Sequence, residues 1–226
     1  MLPSKQVILG LALALVSLVA TKNAGAENYV ISMGQAEQAE KAETINVYKT
    51  VLDAYRLIGL NAEVKQLPWR RSIHAVDQGI FDAELARVNG LEKKFSNLLR
   101  ISEPVGTVEI VALTKAPLRV ASINDLSGLR IGNVRGILTV ESLESELTFY
   151  ATVNSHDSLI RMIDRGRIDV GICVKEIAEL ILAEGNFPSL MTNGWVIQKV
   201  DLYHYVNRRH KDLIPALERA VASTRK

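Results

Sequence analysis

Cysteine is nearly absent from the chain: Cys173 stands alone among 226 residues. No internal disulfide can form, so stability must come from packing, which a chain of this length can supply. The residue lies in the apolar stretch Val170-Gly171-Ile172-Cys173-Val174, where a buried, inert thiol is expected. No lipobox cysteine stands near the N-terminus. An excess of charge of one sign is missing as well, since Lys and Arg total 27 against 25 Asp and Glu. That balance excludes the strongly basic stripe a nucleic-acid binder carries, and no nucleic-acid partner is expected. Catalytic signatures are missing too. His74, His156, His204 and His210 are scattered, without the paired His or Cys spacing of a zinc site. There is no nucleophile elbow, phosphate-binding loop or dinucleotide fingerprint. No metal or cofactor is expected, and the chain reads as a binding protein rather than an enzyme.

One marked apolar run opens the chain. Lys5 precedes Val7 to Ala20, and Ala24-Gly25-Ala26 follows. A charged start, an apolar stretch shorter than the roughly 20 residues of a spanning helix, and an A-x-A triplet form the pattern of a secretory signal peptide. Residues 1–26 are therefore expected to be removed before Glu27, placing the protein in the periplasm. Losing Lys5 and Lys22 leaves 25 basic against 25 acidic residues, a net charge of about zero.

Beyond that segment the pattern alternates. A strand is predicted around Tyr29 to Met33, then a helix over Thr44 to Ile58 in which Tyr48, Val51, Leu52, Tyr55 and Ile58 recur at helical spacing before Gly59. A strand through Ala62 and Val64 ends at Pro68, and a helix begins near Trp69 to Ser72. Strand–helix alternation argues for α/β units on mainly parallel sheets, with ligands bound at the carboxyl ends of strands.

An internal echo adds a second level of organisation. Ile73 to Asp82 matches Ile160 to Asp169, with Ile73/Ile160, Val76/Ile163, Asp77/Asp164 and Asp82/Asp169 at the same offsets from Gly79 and Gly166. Each copy reads as a helix stopped by a glycine in a left-handed cap and followed by an apolar strand, Ala83 to Ala86 and Val170 to Val174. Two similar lobes are expected. The β-rich runs Val105 to Leu113 and Trp195 to Val206 would connect them. Lobe 1 is predicted over residues 27–112 plus 199–226 and lobe 2 over 113–198, with a C-terminal helix, begun near Asp212 and Pro215, packing back on lobe 1.

Three stretches resemble the extracellular solute-binding proteins of the polar-amino-acid transporter type: Gly79 to Ala83, Asn124 to Gly132, and Asp164 to Val170. The middle one resembles that family's D-L-x-G-x-x-I-G signature. The resemblance implies a two-lobed periplasmic-binding-protein-like type II α/β fold with a two-strand hinge. It further implies a small-molecule ligand held between lobes that close on it, delivery to an inner-membrane permease, and a monomer. A sensor or adaptor contacting a membrane signalling protein, or a lyase on the same fold with Glu84 as general acid or base, are the alternatives. The chain departs from the family at Gly90-Leu91-Glu92-Lys93, where lysine stands in place of the arginine that grips an amino-acid carboxylate. That role is not carried onto Lys93, because a point charge lacks arginine's planar fork.

Ligand contacts are expected at the strand ends. Alternation along Ala83 to Arg87 lets Glu84 or Arg87 point toward the cleft, where they would bind opposite ends of a zwitterion or instead pair with each other. Trp69 and Arg71, in Pro68-Trp69-Arg70-Arg71-Ser72, stand at a helix N-terminus and offer an aromatic face and a guanidinium. In lobe 2, Arg135 and Gly136 follow the strand through Ile131, and the resemblance implies Arg135 as the second clamp. Gln35 lies beyond the first strand, in the equivalent lobe 1 loop.

Overall fold

The computed structural model describes residues 28–34, 46–135 and 148–224, without the side chain of Trp69. The expected signal peptide, Gln35 and Gly136 lie outside the described residues. Eight strands form one curled sheet in the order β2-β1-β3-β8-β4-β7-β5-β6. They are β1 (Asn28–Gly34), β2 (Asn61–Leu67), β3 (Ala83–Arg87), β4 (Leu98–Lys115), β5 (Ile131–Val134), β6 (Ala151–Val153), β7 (Val170–Val174) and β8 (Leu190–Asn207). Among the described residues five helices cover it: α1 (Val47–Leu57), α2 (Trp69–Asp77), α3 (His156–Asp164), α4 (Lys175–Glu184) and α5 (Ile214–Thr224).

The elements form for ordinary reasons. α1 turns Val47, Thr50, Val51, Ala54 and Tyr55 inward, a stripe at helical spacing, and leaves Lys49 and Arg56 outside with Asp53 between them. β7 is buried along its whole length, as a parallel strand covered on both faces must be, and Cys173 within it is buried as expected, its thiol pushed up to about 12 by burial. α5 lays Leu217, Ala220 and Val221 into the core that holds Tyr29, Ile31, Val51 and Tyr55, so the C-terminal helix does pack on the first-described strands. A separate core holds Ile110, Leu113, Leu159, Ile163 and Ile172.

The echo seen in the sequence is repeated in atomic detail. Gly79 and Gly166 take φ of +74° and +63°, and their N–H groups donate to Val76 and Ile163 three residues back at 2.9 Å each. Only glycine enters that left-handed region without steric cost. Asp82 and Asp169 then act as matching clips. Asp82 accepts the N–H of Val30 on its carboxylate (2.7 Å) and donates its own N–H to the Val30 carbonyl (2.9 Å). Asp169 does the same with Arg130, at 2.8 and 2.9 Å.

The lobes are joined by β4 and β8, each 18 residues long and paired with each other nearly throughout. β1, β2 and β3 run parallel; β3 is antiparallel to β8 and β8 to β4, so β3 runs in the direction in which β4 leaves lobe 1. β7 is antiparallel to β4, and β5 and β6 run with β7, back toward lobe 1. The carboxyl ends of both parallel sets therefore face each other across the middle of β4 and β8. Arg87, which ends β3, is level with Tyr203 and Pro104, whereas Val174, which ends β7, is level with Ile110. Six steps along β4, roughly 20 Å, separate them.

Candidate functional site at the facing strand ends

The lobe 1 end is built around a buried charge pair. Glu84 is 0% exposed and Arg87 5%, and their side chains meet at 2.6 Å. Ser32 of β1 donates its hydroxyl to the second carboxylate oxygen of Glu84 (2.5 Å), and Ser72 in the first turn of α2 donates to the first (3.2 Å). Arg87 donates to the Ser72 hydroxyl (2.6 Å). Both serines are wholly buried, so the quartet ties β1, β3 and the start of α2 together out of reach of water. Burial pushes the Glu84 carboxyl up and the Arg87 guanidinium down, with the attraction between them working against both shifts. Above this floor Trp69 opens α2, and Arg70 and Arg71 are exposed in its first turn.

The lobe 2 end carries Arg135, exposed, directly after β5, its N–H donating to the Val153 carbonyl at 2.8 Å. Beneath it on β5, Asn133 is wholly buried, and neither atom of its amide finds a hydrogen-bond partner among the described residues. His156, 5% exposed, opens α3 after β6; burial pulls it down to about 4, and its Nε2 has no hydrogen-bond partner among the described residues. After β7, Lys175 reaches across to Glu109 of β4 at 2.8 Å, and Lys199 of β8 reaches the other carboxylate oxygen at 2.9 Å. The two lysines hold the Glu109 carboxyl below the usual carboxylate range. Glu176 accepts the backbone N–H of Glu109 (3.3 Å) and is pushed up by burial. Between the ends, Thr107 donates to Asp201 at 2.6 Å.

Of the residues expected from the sequence, Glu84, Arg87 and the start of α2 with Trp69 and Arg71 come together at one end, and Arg135 stands on the opposite one. The alternation along β3 left open whether Glu84 and Arg87 turn to a ligand or to each other; in this structure they are paired inside. Ser32, Ser72, Glu109, Lys175 and Lys199 were not expected. A hollow of about 450 Å³ is lined by Tyr48, Lys49, Leu52, Asp53 and Arg56, all on α1. Among the described residues no three His, Cys, Asp or Glu side chains gather to hold a metal, and no helix is long and apolar enough to cross a membrane.

The same architecture recurs in solved structures. The periplasmic VFT2 domain of BvgS from Bordetella pertussis superposes with a TM-score of 0.71 at 16% identity, covering 88% of this chain and 89% of that domain. The fold is that of two-lobed periplasmic-binding-protein-like domains. A histidine kinase sensor domain with similarity to periplasmic binding proteins gives 0.70 at 14% identity, over 88% of this chain and 91% of its own. The arginine-bound form of a truncated ArgBP from T. maritima gives 0.66 at 12%, over 87% and 95%. No family model matches the sequence. An uncharacterized protein of Shewanella oneidensis is 24% identical over 167 residues, which make up 71% of this chain and 63% of that relative's length.

Proposed function

We propose that this two-lobed domain is a periplasmic solute-binding protein that holds a small polar solute between its facing strand ends and passes it to an inner-membrane permease. The observation that carries the reading is the opposition of two sets of parallel-strand ends across β4 and β8. Ligands of open α/β sheets bind at such ends, and a shared pair of strands lets lobes hinge shut on a solute. In this reading lobe 1 is 27–112 plus 199–226 and lobe 2 is 113–198. Trp69, Arg71 and Arg135 meet the solute, and Gln35 and Gly136, which lie outside the described residues, are kept as contacts beside them. Arg87 and Glu84 form the floor, the chain acts as a monomer and no chemistry is performed on the solute. Cleavage of residues 1–26 would release it into the periplasm.

A second reading is a sensor domain whose lobes signal to a membrane partner, favoured by the likeness to the BvgS and histidine kinase domains. Native mass spectrometry of the protein purified from the periplasm tests the solute-binding reading. A bound small-metabolite mass is expected. An empty protein whose melting also ignores amino acids, amines and organic acids at saturating concentration would sink it, because a ligand that binds the folded state must stabilise it. Co-purification with a histidine kinase in place of a permease would select the second reading.

A further inference from the structure

The middle of β4 and β8 is not uniform. From Gly106 to Ile110 on β4, and from Leu202 back to Gln198 on β8, residues pair one to one without a break. Register shifts flank that ribbon on both sides, and they are not alike. Toward lobe 2, the shift between Ile110 and Val111 is braced, because β4 pairs with β7 without interruption from Ile110 to Thr114. Toward lobe 1 the ladder is broken twice, between Arg100 and Pro104 and again between Pro104 and Gly106. The outer strand gives no brace there, since β3 has its own shift against β8 between Glu84 and Arg87, and Arg87 faces the same Tyr203 that Pro104 faces. Pro104 has no N–H to give the ladder. Three irregularities thus meet at one level of the sheet, and such irregularities bend and twist the strands that carry them.

The ribbon itself is fastened to lobe 2. Lys175 and Glu176, the first residues of α4, hold the Glu109 carboxylate (2.8 Å) and the Glu109 N–H (3.3 Å), and Val108 is buried in the lobe 2 core. Thr107 meets Asp201 at 2.6 Å and Glu109 meets Lys199 at 2.9 Å, which ties the two strands side to side. Contact with lobe 1 comes at the first rung. There a Cβ on Gly106 would strike Val47 of α1, and Leu202, opposite Gly106, packs on both cores. Val105, one residue earlier, is buried in the lobe 1 core.

We propose that the ribbon moves as part of lobe 2 and that the lobes bend at its lobe 1 end, over Arg100–Gly106 and the facing Leu202–Tyr205. A bend at that level gives up the fewest hydrogen bonds, because the ladder is already interrupted there. It divides the chain near residues 105 and 203, inside the range given above for lobe 1. The body that carries α2 then swings against one made of lobe 2 and the ribbon together. The inference rests on lobes that close, as the solute-binding reading has them, and adds where they bend.

The test reads distances between spin labels on pairs of introduced cysteines by pulsed electron paramagnetic resonance; Cys173 is buried and stays unlabelled. Gln198→Cys marks the ribbon, Arg165→Cys lobe 2 and Arg219→Cys lobe 1, all at exposed positions. The protein is refolded from guanidinium to strip any solute it carries, and none is added. The distance from position 198 to 165 is expected to be sharp, and that from 198 to 219 spread at least about twofold wider. Glu179→Cys in lobe 2 and Lys211→Cys in lobe 1, also exposed, repeat both measurements so that no single label site decides. A spread from ribbon to lobe 2 beside a sharp distance from ribbon to lobe 1 puts the bend at the other end and overturns the proposal. Equal spreads overturn it as well, since the ribbon would then belong to neither lobe. Two sharp distances mean lobes that do not bend, which overturns the inference together with closure on a solute. If the expected asymmetry is found while every solute fails to bind, the solute-binding reading falls and the off-centre bend stands.

Discussion

Sealing a carboxylate and a guanidinium inside a lobe takes both out of water, and the Coulomb attraction between them repays that only when the remaining polar atoms are matched. Here Ser32 and Ser72 do the matching for Glu84. The arrangement predicts an asymmetry. Glu84→Ala leaves a buried, uncompensated Arg87 and is expected to cost about 3–5 kcal/mol in urea unfolding. Replacing both residues by leucine is expected to cost much less than the two single changes added together. A second residue-scale prediction concerns close approach. A Cβ built on Gly106 would come within 2.4 Å of the Val47 side chain at the start of α1. Valine is stiff at χ1 and cannot turn aside freely, so Gly106→Ala should destabilise by about 1–3 kcal/mol. A cost near zero in the same unfolding assay would show that α1 slides instead.

At the scale of elements, the matched clips at Asp82 and Asp169 explain why two helices end and two strands begin at the same offsets. Each carboxylate fixes the register of its strand against a neighbour that is distant in sequence. Asp169→Ala removes the acceptor for the Arg130 backbone N–H and for its guanidinium, at 2.8 and 2.7 Å. A cost of about 1–3 kcal/mol is expected, with faster hydrogen exchange at the Arg130 amide and little change at Val30. Equal acceleration at both amides would mean that the lobes do not respond separately. These clips also mark how far the sequence could be read. Element order, the glycine stops and the echo were legible, because helical spacing, glycine and β-branched runs are local signals. Burial of Glu84 and Arg87 was not. Alternation along β3 gives two faces but says nothing of what lies against them, and Ser32 and Ser72 arrive from elements 52 and 12 residues away. Lys175 escaped for a similar reason, since its partner Glu109 lies 66 residues earlier on a strand that the sequence shows only as an apolar run.

For the whole molecule, one buried histidine in each lobe sets the response to acid. His204, 1% exposed, donates its Nδ1–H to the Leu85 carbonyl (3.1 Å) and accepts the Tyr55 hydroxyl on Nε2 (3.0 Å), an arrangement that suits the neutral ring. Burial pulls His204 and His156 from an ordinary 6.5 down to about 4. The unfolded chain therefore binds more protons than the folded one between those values. Stability owed to the neutral rings is complete above about pH 6.5 and drains away as the pH falls toward about 4, by about 3 kcal/mol for each ring. Burial of Glu84 acts in the opposite sense, since its raised carboxyl favours the folded state as protons are added. The histidines are expected to prevail, and melting temperature should drop between pH 6.5 and pH 4. His156→Gln should flatten that slope. A melting temperature unchanged across the window would show that the rings take up protons without unfolding.

The route of the chain through the sheet has a further consequence, in time rather than in space. β3 has β1 on one side and β8 on the other, and β8 with α5 behind it is made only after every other described strand. Until residues near 207 are available, lobe 1 has an open sheet edge and lacks the helix that covers Tyr29 and Val51, whereas β5, β6 and β7 can already assemble on β4. Pairings that span so much sequence are slow to close. The lobe whose β1 precedes every other described strand is the lobe that finishes folding last.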